Sequence, residues 1–334
     1  MSDRRIKGII TKGVGGLYTV RPLRSDPDAG GELLCSARGK FRLEGISPLP
    51  GDFVTVERDT DSPGAADEAR FVITDIEKRR NVLIRPPLSN LTHIFMIIPS
   101  CRPKPDLLTA DKLIAISESL GIEPVVVVGK ADLDPVSAAE LEGIYKTAGY
   151  RVFVISSTSG EGCGALARYI ADLAGSGKDG ETVRTAFAGV SGAGKSTLLS
   201  RLFPSLDLAT GDLSRKTERG RHTTRATELF PVEIDGRELF FADTPGFSML
   251  DFTRFNFFPP EDLPLCFREF ADCIGKCRYG GCTHVREEGC AVIAKMEAGG
   301  IARSRHDSYV AIRDEIRKKP AWKREKEEKA KNRV

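Results

Sequence analysis

The sequence predicts a three-part chain. A small all-β barrel, of the SH3 or oligonucleotide-binding (OB) kind, comes first. An α/β domain built around a phosphate-binding loop follows, then a small, mostly helical zinc-binding part. Five short strand-like runs lie within the first 77 of 334 residues. A glycine-rich turn, Gly189-Val190-Ser191-Gly192-Ala193-Gly194-Lys195-Ser196-Thr197, separates an apolar run at 183–188 from a helical pattern at 197–203. Cys277, Cys282, His284 and Cys290 cluster within 14 residues. The expected divisions are 1–77, 78–252 and 253–334.

Apolar residues make up 40% of the chain and charged residues 29%, the balance of a globular protein with cores large enough to fold unaided. No apolar run approaches the roughly 18 residues that span a bilayer, so a helical membrane protein is excluded. The start, Met1-Ser2-Asp3-Arg4-Arg5, is charged and does not read as a signal peptide. A cytoplasmic protein is expected, with its eight cysteines serving as reduced thiols or metal ligands. From Arg303 onward twelve Lys/Arg face six Asp/Glu, in a chain of net charge +3. The basic tail reads either as a solvated helix or as a surface for a nucleic-acid backbone.

In the first part, apolar or alternating runs at 6–10, 17–20, 32–35, 53–56 and 71–73 are separated by Gly- and Pro-rich turns. Short strands at this density suggest a small closed barrel, of the SH3 or OB kind. Aromatic residues for base stacking are sparse, so direct base recognition by the barrel is not expected. Residues 79–87 carry two prolines and a charge run and read as a linker.

The pattern then changes. Continuous apolar runs at 92–98, 124–128 and 151–155 alternate with helical patterns at 107–120, 138–148 and 165–173. Strands apolar throughout argue for a parallel sheet covered on both faces. His93 lies inside one such strand and is expected to be a packed residue, and Cys35, Cys101 and Cys163 read as small buried hydrophobes. A Gly/Ser joint at 175–181 precedes the phosphate loop, and strands at 229–234 and 238–242 flank an Asp235-Gly236 turn.

Strand, glycine turn and helix form the context of a phosphate loop. Glycines let successive N–H groups turn inward on a polyphosphate, and the helix adds its positive end. Lys195 would reach the β- and γ-phosphates and Ser196 would hold Mg²⁺. The loop alone leaves ATP and GTP both open. Asp243-Thr244-Pro245-Gly246 follows a strand; its carboxylate can hold Mg²⁺ through water, and the Gly246 N–H can meet a γ-phosphate. In Gly129-Lys130-Ala131-Asp132, Asp132 can accept from guanine N1–H and N2–H₂, and the Lys130 stem can cover the base. Ser156-Ser157-Thr158 supplies a second base-side loop, and Gly220-Arg221-His222-Thr223-Thr224 a γ-phosphate sensor. These are the parts of a GTPase in an unusual order, with the base-side loops ahead of the phosphate loop. Physics permits the shuffle, because the loops need only meet at one sheet edge.

The spacing Cys277-x₄-Cys282-x-His284-x₅-Cys290 supplies three thiolates and one imidazole, a complete tetrahedral set for a structural Zn²⁺. Cys266 and Cys273 lie close by, but the set is complete without them.

The permuted order, the Gly-Arg-His-Thr-Thr segment, the Asp-Thr-Pro-Gly box, the barrel and the Cys/His cluster together resemble the circularly permuted bacterial GTPases of the ribosome small-subunit-dependent GTPase A (RsgA) family. The resemblance covers essentially the whole chain and implies that the barrel is of the OB type. It implies a factor in late 30S subunit maturation, with weak GTP hydrolysis stimulated by the subunit. It implies one structural zinc, Mg²⁺ with GTP, and His222 as the catalytic or water-positioning group, because Phe247 occupies the position where Ras-like enzymes place a glutamine. Thr224, or failing it Thr223, would be the second Mg²⁺ ligand. One departure stands out: GTPases usually carry Asn, sometimes Thr, where this chain has Gly129. Guanine selectivity is expected to survive through Asp132, at lower affinity. The expected partners are GTP/GDP, the 30S subunit and 16S rRNA, with no membrane and a monomeric state. A nucleotide-gated RNA-binding module with incidental hydrolysis and a P-loop ATPase remain as alternatives.

Overall fold

The computed structural model describes residues 5–23, 31–59, 71–176, 182–204, 227–243 and 257–318. The first five strands are β1 (Ile6–Val14), β2 (Leu17–Pro22), β3 (Leu33–Ala37), β4 (Phe53–Arg58) and β5 (Phe71–Ile76). They close into a barrel in the order β1-β2-β3-β5-β4, with a short helix α1 (Gly39–Leu43) after β3. The inward residues Ile10, Val20, Cys35, Val54, Val56 and Ile73 pack with Phe41 of α1. Gly8 permits the close passage of β1 over β2, since a Cβ there would lie 2.5 Å from Val20 Cγ1 and 2.8 Å from the Arg21 carbonyl.

Residues 79–87, expected as a linker, instead belong to an ordered joint. The short strands β6 (Val82–Leu83) and β7 (Leu88–Ser89) pair, with Leu83 and Leu88 fully buried. Asn side chains take the place of missing strand partners. Asn81 donates to the Leu91 carbonyl and accepts from its N–H, at 2.9 and 3.0 Å, and Asn90 donates to the Gly51 carbonyl at 2.9 Å. Arg79 grips buried Asp52 with two bonds of 2.8 Å. Proline and charge are ambiguous signals of disorder when such partners exist elsewhere in the chain.

The central sheet has the order β10-β9-β8-β11-β13-β12. Its strands are β8 (His93–Pro99), β9 (Glu123–Gly129), β10 (Arg151–Val154), β11 (Val183–Gly189), β12 (Leu229–Ile234) and β13 (Arg237–Asp243). All pair in parallel except the edge strand β12. Helices α2 (Leu107–Ser119) and α3 (Pro135–Thr147) cover one face, α4 (Cys163–Ser176) and α5 (Lys195–Leu202) the other. Alternation explains the continuous apolar runs: Ile94, Met96 and Ile98 face the first layer, Phe95 and Ile97 the second. Phe95 stacks on Phe187 at 4.8 Å and Phe203 on Phe241 at 5.1 Å. Full burial of each such ring contributes about 1.5–3 kcal/mol. Asp106 and Asp134 cap α2 and α3, accepting from the N–H groups of Thr109 and Ser137. His93 is half-buried beside Thr92, and burial lowers its imidazole pKa. Cys35 and Cys163 are buried as expected, whereas Cys101, on the loop after β8, is only half-buried.

After 3₁₀ turns at Pro260–Cys266 and Arg268–Phe270, helices α6 (Ala291–Glu297) and α7 (Arg303–Lys318) complete the described fold. This C-terminal part shares one apolar core with α2: Leu263, Phe267, Phe270 and Tyr309 join the cluster that holds Leu113 and Ile114. At its centre Arg305, 1% exposed, bonds Asp111 at 2.6 Å and Glu269 at 2.7 Å. The Tyr145 hydroxyl donates to Asp111 at 3.0 Å. At the β12 edge of the sheet, the barrel makes the ion pairs Lys12–Glu228 (2.8 Å), just before β12, and Arg21–Glu238 (2.6 Å), on β13.

Candidate functional site

The candidate loops meet at the carboxyl edge of the parallel strands. Gly129 pairs with Pro99, Gly189 with Ile97, and Asp243 with Phe187, so β8, β9, β11 and β13 end side by side. Chain order is therefore irrelevant to their adjacency, and loops at such an edge share one crevice.

The phosphate loop begins where β11 passes close to β8. A Cβ on Gly189 would lie 2.9 Å from the Ile97 carbonyl, so only glycine fits. The Ala193 N–H donates to the Val190 carbonyl at 3.0 Å, tightening the turn, and Ala193 is buried beneath it. Gly194 takes φ +96° as the N-cap of α5 and offers no side-chain cap. The first-turn N–H groups of α5 are thus placed for an anion to cap. Ser191, Gly192, Ser196 and Thr197 are exposed along this loop, with Lys195 half-buried as the first helical residue.

The base-side loops are tied to it. Lys130 Nζ donates to the Gly192 carbonyl at 2.7 Å and also to the Arg102 carbonyl. The Lys130 carbonyl accepts from Ser100 Oγ at 2.8 Å, and the Ala131 N–H reaches the Ile155 carbonyl at 3.1 Å. Asp132, just beyond, is exposed. Ser156 is buried, its Oγ accepting from the Ser159 N–H at 3.1 Å. Arg201, on α5, donates to the carbonyls of Ser157 (2.7 Å) and Thr158 (2.9 Å). No motif marks Arg201 in the sequence, where it is one charged residue on a helix. His222, Thr223, Thr224 and Gly246 lie outside the described residues, as does the Asp243 side chain.

The second constellation is complete. Ligand atoms of Cys277, Cys282, His284 and Cys290 all lie within 4.8 Å of one another. A tetrahedral zinc with ordinary bond lengths implies edges of about 3.8 Å between sulfurs and about 3.5 Å from sulfur to nitrogen. Cys277 and Cys290 Sγ are 4.0 Å apart, and each is 3.5 Å from His284 Nδ1. The donor set and its spacing therefore fit zinc. Burial lowers the His284 pKa and keeps the imidazole neutral; burial pushes the Cys282 thiol up to about 12, so a metal must displace its proton. Cys266 and Cys273 stand outside the cluster.

Residues that spacing does not reveal hold the ligands in place. His306 Nε2 lies 2.7 Å from the His284 carbonyl, and the Ala291 N–H donates to Cys277 Sγ at 3.3 Å. Glu287 accepts from the N–H groups of Thr283, Val285 and Arg286. Burial opposes its ionisation, but these bonds and that from the Thr283 hydroxyl outweigh it and hold the carboxyl down at about 2.

Comparison with known proteins agrees with this geometry. The RsgA GTPase model matches residues 76–253 and the RsgA N-terminal domain model residues 7–65. The "Small ribosomal subunit biogenesis GTPase RsgA" of Caldanaerobacter subterraneus subsp. tengcongensis is 36% identical over 316 residues, covering 94% of this chain and 97% of the relative. Its namesake from Moorella thermoacetica is 36% identical over 311 residues, covering 93% and 97%. The crystal structure of YjeQ from Thermotoga maritima superposes with a TM-score of 0.72 at 29% identity, covering 94% of this chain and 99% of that one. That of YloQ, described as a circularly permuted GTPase, does so at 0.69 and 28%, covering 95% and 97%. A sheet edge that gathers phosphate and base loops in permuted order, and relatives aligned almost end to end, lead to one conclusion: the chain belongs to the RsgA GTPase family.

Proposed function

We propose that this GTPase acts in late maturation of the 30S ribosomal subunit, with hydrolysis stimulated by the subunit. The observation that carries the guanine reading is the meeting of Gly129-Lys130-Ala131-Asp132 with the phosphate loop at one sheet edge, tied by Lys130 to Gly192. On this reading Asp132 accepts from guanine N1–H and N2–H₂, beside the loop formed by Ser156 and Ser157. Residues 191–197 wrap the phosphates, with Lys195 on the β- and γ-phosphates. Ser196 and Thr224 hold Mg²⁺, Asp243 reaches it through water, and the Gly246 N–H meets the γ-phosphate. His222 positions the attacking water. Cys277, Cys282, His284 and Cys290 hold one structural zinc. The functional units are 1–77, 78–252 and 253–334, acting as a cytoplasmic monomer, with barrel and basic tail on 16S rRNA.

The curated relatives are named as small-subunit biogenesis GTPases, which favours this reading over a P-loop ATPase. GTP turnover measured with and without purified 30S subunits tests it. Stimulation of at least about tenfold, roughly 1.4 kcal/mol of barrier, is expected, and no stimulation would overturn it. Asp132→Asn should weaken GTP binding relative to ATP. His222→Ala should abolish the stimulated turnover while leaving GDP affinity intact; an unchanged stimulated rate removes His222 from the mechanism.

A further inference from the structure

Arg201 stands six residues beyond Lys195, at the far end of the helix that the phosphate loop opens. Its guanidinium leaves that helix and donates Nε to the Ser157 carbonyl at 2.7 Å and Nη2 to the Thr158 carbonyl at 2.9 Å. Gly160 makes room for it: a Cβ there would lie 2.5 Å from Nη1, and the backbone has φ +93°. The turn's other bonds are short-range. Ser159 N–H reaches Ser156 Oγ, Gly160 N–H the Ser156 carbonyl, and Ser156 N–H the Glu161 carbonyl. These bonds shape the turn without fixing it against the phosphate loop. From the neighbouring strand end, Gly129 contributes no side chain to that task, although the Ala193 carbonyl is 3.5 Å from where its Cβ would be.

We propose that Arg201 is a positioning residue for guanine selectivity, fixing the Ser156–Gly160 turn to the helix of the phosphate loop. In a trans peptide the carbonyl and the following N–H point opposite ways. Drawing the Ser157 carbonyl toward α5 therefore turns the Thr158 N–H away from it, as a donor for the base edge. That edge offers an acceptor, O6, in guanine and a donor, the amino group, in adenine. A fixed N–H thus favours guanine, and a loose one discriminates less. The inference rests on the guanine reading of the site.

Full-length wild type, Arg201→Met and Arg201→Lys would be titrated with a fluorescent GDP and competed with GTP, ATP and inorganic tripolyphosphate. Two charge-assisted bonds at a surface predict a loss of about tenfold in GDP and GTP affinity for Arg201→Met. ATP and tripolyphosphate should bind as in wild type. Arg201→Lys, able to keep one of the two bonds, should fall between, and decides alone if Arg201→Met does not purify folded. Equal losses for tripolyphosphate and GTP, or no loss at all, would overturn the proposal. Wild type binding ATP as tightly as GTP would overturn the guanine reading itself. Selective wild type with unaltered variants would overturn Arg201 alone.

Discussion

Gly129 sits where a side chain would face the phosphate loop. A Cβ there would lie 3.5 Å from the Ala193 carbonyl and 3.6 Å from Ile97 Cγ2, both ordinary contacts. Its backbone is not in the left-handed, positive-φ region, so a larger residue meets no backbone strain. Asn at this position can donate its amide to the phosphate-loop backbone. Gly129→Asn is expected to raise GDP affinity several-fold, about 1 kcal/mol for one added hydrogen bond, read by titration with fluorescent GDP. Weaker binding would show that the space is needed empty. The departure at Gly129 is legible in the sequence, but the room around it is not. That room depends on Ile97 and Ala193, which are 32 and 64 residues away in the chain.

At the scale of elements, the Cys/His cluster and helices α6 and α7 hold one another. Cys290 is the N-cap of α6, the Ala291 N–H bonds Cys277 Sγ, and His306 on α7 reaches the His284 carbonyl. The Tyr309 hydroxyl donates to the Thr283 carbonyl at 2.8 Å, adding a second tie from α7. Metal binding to such a site is folding free energy for the elements around it. A strong chelator should therefore release one zinc per chain, measured by a colorimetric zinc indicator, and lower the thermal midpoint by several degrees. Cys282→Ser should reproduce both effects. The base-side loops should retain GDP affinity in that variant, because they are braced by Lys130 on the phosphate loop and by Arg201 of α5. The spacing of the four ligands was readable in the sequence because they are nearly contiguous. Glu287, His306 and Ala291 act through backbone atoms and leave no such pattern.

For the whole molecule, two kinds of charged contact join the parts, and burial separates their weights. Arg305 is buried between Asp111 and Glu269, and its removal leaves two carboxylates without their cation. Arg305→Met should cost about 3–5 kcal/mol, the scale of breaking a buried ion pair. Lys12 and Glu228 are 42% and 36% exposed at the side chain, so Lys12→Met should cost less than about 1 kcal/mol. Urea denaturation followed by far-ultraviolet circular dichroism checks both, and equal costs would contradict this ranking. Arg184 adds a third contact: 1% exposed, it places its guanidinium 4.6 Å from the Phe53 ring centroid, where β11 meets the barrel.

Local pattern alone determined the barrel strands, the parallel strands with their helices, the phosphate loop and the Cys/His cluster. Each is set by neighbours a few residues apart: alternation, helical period, a glycine turn or ligand spacing. The permuted order of the loops was equally visible, since it is a property of the chain. Tertiary structure decided the rest. It turned the proline-rich stretch at 79–87 into a packed joint, because Asn81, Asn90 and Asp52 find partners. It seated the C-terminal part on α2 through Arg305, nearly 200 residues from Asp111. It also brought Arg201 to the turn after β10, a tie made by carbonyls, which every residue carries and no sequence pattern distinguishes.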